Sequence, residues 1–171
     1  MQNKKAIQFI LLFTLSYILL NGIYQWVLWL YAPKPDFITL YTSIIFCKIF
    51  TKFNLSILLF KPAVLISLKE KGLVNIAEGC NGIAVFNTLL SFIIAFKSDL
   101  SKYLKFIPIS LAILFIINII RLYILVEIKI STPQFFDLFH TYIFPIILYF
   151  ITFILMIVWV KFFNKKEDVS Q

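Results

Sequence analysis

Long apolar runs with few charges dominate this chain and restrict what it can fold into. Of its 171 residues, 61% are hydrophobic, and the mean hydropathy is +0.96. Recurring runs of about 20 apolar residues are typical of membrane-spanning helices rather than of a soluble domain. No polar stretch is long enough to form a separate soluble domain. The composition therefore predicts a single membrane domain over residues 1–171.

Four apolar segments have the composition of transmembrane helices: residues 6–31, 80–96, 103–128 and 135–163. The second is the shortest, and it needs an extra turn from its flanks to cross about 30 Å of hydrocarbon at about 1.5 Å per residue. The first is too long for the apolar core of a signal peptide, and no small-residue cleavage site follows it. We therefore expect it to remain as an anchor.

Lysine placement predicts the orientation of these helices. If four spans alternate, eight lysines lie close to the span ends on one side: Lys4, Lys5, Lys97, Lys102, Lys105, Lys161, Lys165 and Lys166. The other side carries seven lysines, most of them spread over a long loop and partly offset by acidic residues. Because basic residues concentrate in short cytoplasmic loops, both termini are predicted to be cytoplasmic.

The connection between the first two spans, residues 32–79, is then extracytoplasmic. Its first part, residues 37–53, is apolar but carries Lys48 and Lys52. This composition favours an interfacial or partly inserted helix that follows a proline-containing turn at residues 33–36. The length of this stretch leaves open whether it crosses the membrane.

The second part of this loop changes character. Residues 64–68 and 73–77 are short β-prone runs on either side of a charged, glycine-containing turn. They predict a β-hairpin that leads the chain to Cys80. The predicted fold class is thus an all-α integral membrane protein of about four transmembrane helices, with an interfacial helix and a short extracytoplasmic β-hairpin.

One charged residue lies well inside an apolar segment. Arg121 is the only arginine among the 16 basic residues, and it lies roughly two turns before the outer end of the third span. A charge at that depth is costly, so it either extends to the headgroups or faces protein and water for a function. Its planar, permanently charged donors suit carboxylate or oxyanion binding. Asn118 lies one turn away on the same helix face and is predicted to support it.

A thiol lies in a polar turn directly before the second span. Cys80 is flanked by glycines, of which Gly82 permits a tight turn into the helix. Free N–H groups and the helix dipole at a helix N-terminus favour a thiolate, and they could hold an oxyanion. The alternative is a buried structural cysteine. The other cysteine, Cys47, lies in an apolar amphipathic stretch.

The one histidine, His140, lies near the start of the fourth span. Thr132 and Pro133 are suited to the N-cap and the first helical position, so the helix is expected to begin before the lipid does. Asp137 is one turn earlier on the same face and could orient the imidazole or favour its protonated form. Pro145 is expected to bend the helix just below. The alternative is an interfacial histidine without a chemical role.

One topology places Cys80, Arg121 and His140 on three spans at the same outer level, which does not by itself bring them into contact. Thiolate, imidazole and guanidinium would supply the nucleophile, the acid/base and the oxyanion stabiliser of acyl transfer. One histidine without a CxxC pair gives too few metal ligands, so neither metal nor cofactor is expected. Because lysines at span ends account for the net charge of +8, nucleic-acid binding is not expected either.

These motifs resemble the exosortase/archaeosortase family of membrane transpeptidases. The run Glu78–Gly82 is similar to the family's Cys-Ser-Gly-type nucleophile motif, with Asn81 in the place of serine. The run Asn118–Arg121 is similar to the family's Asn-x-x-Arg, and His140 follows at the head of a later span. The resemblance covers residues 62–149 and is strongest to the compact Bacteroidetes-type branch called XrtF. The larger members have further N-terminal spans and added soluble domains that this chain lacks.

The resemblance implies a multi-pass sorting enzyme of the bacterial cytoplasmic (inner) membrane, with its active site facing the periplasm. Its partners would be exported proteins with a C-terminal sorting signal, which consists of a short motif, one span and a basic tail, together with membrane lipid. Cys80 would attack the scissile carbonyl, His140 would move the proton, and Arg121 would stabilise the tetrahedral intermediate. The acyl group would then pass to water or to a surface acceptor such as a lipid or glycan.

Two other functions are compatible with the sequence. In a non-enzymatic subunit of a membrane assembly or transport complex, Arg121 would form a structural ion pair or bind headgroups. A lipid-modifying acyltransferase would use the same thiol on lipid thioesters. An enzyme should lose function with Cys80→Ser or Cys80→Ala and be indifferent to Cys47→Ala. A scaffold should tolerate all three substitutions and accept lysine at position 121.

Overall fold

The computed structural model describes residues 2–50, 55–60, 63–68, 71–76, 80–96 and 98–163. The α-helices are α1 (Gln2–Tyr31), α2 (Phe37–Ile49), α3 (Ile83–Ala95), α4 (Leu100–Ser131), α5 (Phe136–Leu138) and α6 (Phe144–Val158). The strands are β1 (Leu55–Phe60), β2 (Ala63–Leu68) and β3 (Lys71–Ile76). A 3-10 turn (Pro133–Phe135) precedes α5, and π-helical turns (Phe139–Ile143 and Trp159–Phe163) precede and follow α6.

In the described part of the chain, three helical segments are long and apolar enough to cross a membrane. They are Lys4–Tyr31, Leu100–Ser131 and Pro133–Lys161, with 28, 32 and 29 residues. Large apolar side chains on their outer faces are exposed, as Trp29 in α1 illustrates at 73%. A soluble protein would not leave such faces uncovered, whereas lipid can cover them. The chain is therefore a membrane protein, and the first, third and fourth predicted spans are confirmed as long apolar helices.

The predicted second span at residues 80–96 is wrong as a full-length crossing. Its helix, α3, has only 13 residues and extends over about 20 Å at 1.5 Å per residue. It cannot start at Cys80, because Gly82 has a left-handed backbone conformation with φ of 83° and serves as the N-cap. At its other end, the backbone leaves the helix at Phe96.

Helices α1 and α3 run antiparallel. The ring of Phe9 lies 5.7 Å from that of Phe92 and 4.8 Å from that of Phe96, measured between centroids. Further towards the end of α1 and the start of α3, the Asn87 amide donates a hydrogen bond of 3.2 Å to the side-chain oxygen of Asn21. These contacts place the start of α1 beside the end of α3.

Helix α4 and the last helix are also antiparallel, and they share this end of the bundle. The ring of Trp159 lies 5.3 Å from that of Tyr103 and 5.1 Å from that of Phe106. The Tyr103 hydroxyl donates a hydrogen bond of 2.9 Å to the carbonyl oxygen of Phe96 at the end of α3. The side chains that fill the core between α3, α4 and α6 include Val85, Leu89, Ile93, Phe106, Leu114, Leu148, Leu155 and Trp159.

The three strands form an antiparallel sheet in the order β1-β2-β3. Strands β2 and β3 coincide with the two runs predicted to form a hairpin, and their turn at residues 69–70 lies outside the described residues. Strand β1 pairs with β2 from Leu55 opposite Leu68 to Phe60 opposite Ala63, and the sequence analysis did not assign it. The prediction of an all-α class with one hairpin is thus too narrow, because the helices are accompanied by a three-stranded sheet.

The sheet and α2 pack against the second half of α4. Their shared core includes Phe46, Val74, Ile76, Cys80, Ile119, Leu122 and Val126. Helix α2 begins where the sequence predicts, because the Asp36 carboxylate accepts hydrogen bonds from the N–H groups of Ile38 and Thr39. It ends at Ile49, and residues 51–53 of the predicted stretch lie outside the described residues.

Gly82 provides a test of the turn that starts α3. The substitution Gly82→Ala is expected to lower the free energy of unfolding by about 1 kcal/mol, because a side chain disfavours the left-handed backbone. A Cβ atom there would meet Asn118 Cγ at 3.5 Å, an ordinary contact, so the loss reflects backbone strain and not a clash. Unfolding of the purified protein by increasing fractions of a denaturing detergent measures it.

The matched control is Gly22→Ala in α1, where an added Cβ would have nothing within 4 Å. Alanine favours a helix interior over glycine by up to about 1 kcal/mol, so this variant should be unchanged or more stable. Equal unfolding curves for the two variants would contradict the assigned backbone strain at Gly82.

Candidate active site

The predicted nucleophile and the predicted base are in contact. The Cys80 Sγ lies 3.3 Å from His140 Nε2, although the two residues are 60 positions apart in the chain. This is within hydrogen-bonding range for sulfur, so the proton can lie on the thiol or pass to the ring. Cys80 is 5% exposed, and His140 is half-buried. The two side chains therefore form a shielded thiol–imidazole pair.

Asn118 connects this pair to α4. Its amide nitrogen donates a hydrogen bond of 3.0 Å to the carbonyl oxygen of Cys80. Its side-chain oxygen accepts a longer one of 3.5 Å from Nη1 of Arg121, one turn along the same helix. The predicted supporting role of Asn118 thus has a geometric basis, since one side chain contacts both the nucleophile's backbone and the guanidinium.

The Arg121 guanidinium is buried beside the thiol. It is 5% exposed, and its charge interacts electrostatically with Cys80. Its Nε–H has no hydrogen-bond partner among the described residues. A buried donor without a partner costs about 1–3 kcal/mol, and more for a charged group. This unpartnered donor is the candidate group for binding a substrate oxygen.

The His140 ring is held by aromatic stacking. Its ring is nearly parallel to that of Phe136, with 5.5 Å between centroids and 6° between planes. The Lys129 ammonium lies 4.6 Å from the centroid of the Phe136 ring. His140 belongs to the π-helical turn Phe139–Ile143, next to Pro145 near the start of α6. Since proline has no N–H for an i→i−4 bond, it explains why the α-helical ladder is interrupted here.

The orienting role predicted for Asp137 is not seen. Asp137 is exposed, and among the described contacts it makes no hydrogen bond to His140, although its charge acts on the ring. The expectation assumed a regular α-helix, in which residues three apart share a face. The π-helical turn changes that register, and Phe136 and Cys80 orient the imidazole instead.

The helix N-terminus contributes less to the site than the sequence suggests. Cys80 lies two residues before the N-cap Gly82. The first N–H of α3, that of Ile83, is bound by the side-chain oxygen of Asn81 at 3.1 Å. The N–H groups of Val85 and Phe86 are bound by the carbonyl oxygen of Gly82. An oxyanion at Cys80 would therefore rely on Arg121 more than on helix N–H groups.

Asn81 is a residue of this site for which the sequence predicts no role of its own. Its side chain is fully buried, and its amide nitrogen donates hydrogen bonds to the hydroxyls of Thr39, at 3.1 Å, and Tyr24. These partners belong to α2 and α1 and are 42 and 57 positions away. No local pattern could have indicated such distant pairs. The one feature of the sequence that could have indicated a role for Asn81 is its position next to the candidate nucleophile Cys80.

The described residues hold no group of three or more His, Cys, Asp or Glu side chains that could bind a metal ion. The polar side-chain groups gathered at the site are the thiol of Cys80, the imidazole of His140, the guanidinium of Arg121 and the amide of Asn118.

The two thiols are expected to differ in reactivity. Burial among apolar side chains raises the pKa of the Cys47 thiol, so little of it is ionised at neutral pH. Cys80 has an imidazole at 3.3 Å and a cation nearby. A small thiolate-directed reagent applied from outside should thus label Cys80 faster than Cys47, by roughly tenfold or more at pH 7.

The pH dependence of labelling separates accessibility from ionisation. Only the thiolate reacts, so labelling of Cys47 should become roughly tenfold faster with each pH unit as long as the pH is below its pKa. Because burial raises the pKa of Cys47, this increase should continue well above pH 7. Peptide mapping by mass spectrometry gives both rates in one sample. Equal rates for the two thiols at pH 7 would count against an activated nucleophile.

Comparison with models of known protein families, with curated proteins and with solved structures finds no match for this chain.

Proposed function

We propose that this protein is a membrane-embedded thiol peptidase or transpeptidase that cleaves C-terminal sorting signals from exported proteins. The observation that carries the proposal is the 3.3 Å contact between Cys80 Sγ and His140 Nε2, next to the buried guanidinium of Arg121. A structural cysteine would need neither partner. The resemblance of the surrounding motifs to exosortases gives the proposal its substrate class.

In the proposed reaction, His140 Nε2 takes the proton of the Cys80 thiol as the sulfur attacks the scissile carbonyl. Arg121 donates to the oxyanion that forms, with its charge and its free Nε–H. The C–N bond then breaks, the leaving amine takes the proton from the imidazolium, and a thioester joins the substrate to Cys80. Water or an acceptor hydroxyl or amine attacks the thioester, His140 removes its proton, and the thiol is restored.

The depth of the site supports a substrate that has its own membrane span. Asn81, beside the nucleophile, contacts Tyr24, which lies seven residues before the end of α1 at Tyr31. Seven helical residues correspond to about 10 Å. A scissile bond close to a transmembrane segment would reach that level, whereas a folded soluble domain would not.

The distribution of charge supports the orientation that we propose for the site. Lys5 and Phe96 line one groove at the end of the bundle remote from Cys80, and Lys161 and Phe92 line another groove near the same end. A lysine-rich end favours the cytoplasm. We propose on this basis that both termini lie in the cytoplasm, and the resemblance to exosortases adds that the site faces the periplasmic side of a bacterial inner membrane.

The test is mass spectrometry of exported proteins from the native host, comparing wild type with Cys80→Ala, Arg121→Lys and His140→Ala. C-terminal tails that persist in all three variants, and are removed in wild type, identify substrates and support the proposal. Unchanged processing in all three would overturn it and leave the buried arginine as a structural group of a membrane scaffold.

A further inference from the structure

The turn that carries the nucleophile is fixed from two directions. On one side, Asn118 of α4 binds the carbonyl oxygen of Cys80. On the other side, the oxygen and the nitrogen of the side chain of Asn81, which follows Cys80 in the chain, both make hydrogen bonds. Its oxygen accepts from the N–H of Ile83, and its nitrogen donates to the hydroxyls of Thr39 and Tyr24. The turn is therefore tied to α1, α2 and α3 by one side chain.

A buried carboxylate anchors the two hydroxyls. Asp36 is 2% exposed, and its Oδ2 accepts hydrogen bonds from the Thr39 hydroxyl at 2.6 Å and from the Tyr24 hydroxyl at 3.4 Å. Its Oδ1 accepts from the N–H groups of Ile38 and Thr39. With their protons directed to Asp36, both hydroxyl oxygens are left to accept from Asn81. The carboxylate thus sets the direction of the whole network.

We propose that Asn81 is a positioning residue that holds the Cys80 sulfur against His140, and that Tyr24, Thr39 and Asp36 form its support. This inference rests on the proposed function for its catalytic meaning, although the geometry it concerns is measurable without any substrate. Positioning matters because a displacement of about 1 Å can cost on the order of a hundredfold in rate. Asparagine suits the task because only an amide side chain can both accept from Ile83 and donate twice.

The experiment uses the fact that the chain has one histidine. The full-length protein, labelled with 15N-histidine and purified in detergent, gives a single pair of imidazole signals that report on His140. The variant Cys80→Ala defines the Nε2 signal without its sulfur partner. Asn81→Ala should move the Nε2 signal most of the way towards that position. Tyr24→Phe, which removes one hydroxyl and keeps the ring, should move it in the same direction by less.

The matched control is Asn87→Ala. Asn87 joins the same two helices, α1 and α3, through Asn21, and it is 7% exposed, but it lies seven residues after Cys80 in the chain. Its loss should lower stability and leave the His140 signal at the wild-type position. A role of Asn81 in stability alone would make the two asparagine variants behave alike, and that result would overturn the proposal.

A His140 signal that does not respond to Cys80→Ala would also overturn it, because the contact to be positioned would be missing. Failure of the proposed function is recognised separately. If tail processing is unchanged in Cys80→Ala while the His140 signals shift as expected, Asn81 does position the Cys80 sulfur against His140, but the proposed peptidase function is overturned.

Discussion

Replacing Cys80 with alanine is expected to reduce cleavage of C-terminal tails by at least about a thousandfold, since loss of a covalent nucleophile removes most of the catalysis that its partners support. Cys80→Ser should be nearly as inactive, because a hydroxyl beside a single imidazole is a far weaker nucleophile than a thiol. The serine variant keeps a polar atom within reach of His140, so its fold should be preserved. The ratio of cut to uncut tails in exported proteins, measured by mass spectrometry, gives the effect.

Cys47→Ala is the matched control for this result. Cys47 is also unpaired, and it packs against the same core cluster as Cys80. If cleavage depends on packing of small side chains in this core, both alanine variants should lose activity to a similar degree. The proposed mechanism requires the Cys47 variant to remain within about twofold of wild type, since no chemical step depends on that thiol.

Arg121→Lys is expected to lower the rate constant of cleavage by about a hundredfold, which is typical for the loss of one oxyanion donor. Lysine keeps the positive charge, but it has no Nε–H and no planar pair of donors, so it cannot reproduce the contacts to an oxyanion and to Asn118. Because the contact to the oxyanion forms with charge that develops in the transition state, kcat should fall while KM changes little. Kinetics on a synthetic sorting peptide in detergent would measure both.

Ser110→Ala is the control on the same helix. Ser110 is 1% exposed, and its hydroxyl bonds only to the backbone carbonyls of Phe106 and Ile107 among the described residues. The variant removes a buried polar group of α4 without touching the site, so its kcat should stay close to wild type. A lysine variant with wild-type kcat would favour the scaffold reading, in which only the charge at position 121 is needed.

The long helices were predictable from the sequence because each is apolar for more than the thickness of a bilayer. Helix α4 extends from Leu100 to Ser131 around the predicted 103–128, and the last segment begins at Pro133, close to the predicted 135. The short helix α3 was overestimated, because hydropathy does not sense the left-handed backbone at Gly82. Strand β1 was missed because five of its six residues are apolar and the single polar one, Ser56, gives no alternation along its length.

The site was predictable as residue types and only in part as geometry. It was possible to select the one arginine, the one histidine and a cysteine at a span end because such residues are costly or rare there. The structure brings the sulfur of Cys80 and the imidazole of His140 together. The contact between Cys80 and His140 and the network around Asn81 join residues 42 to 60 positions apart in the chain. Such contacts leave no periodicity in the sequence, so the residues that hold Asn81 in place could not be predicted from it.

The imidazole comes from the last long helix, Pro133–Lys161, whereas the sulfur and the guanidinium belong to earlier elements. Chains are synthesised and folded from the N-terminus onwards. During synthesis, Cys80 and Arg121 are therefore made before His140. A nascent chain that has not yet reached His140 has the thiol without its base, so the proposed protease cannot be active before the helix Pro133–Lys161 has been made.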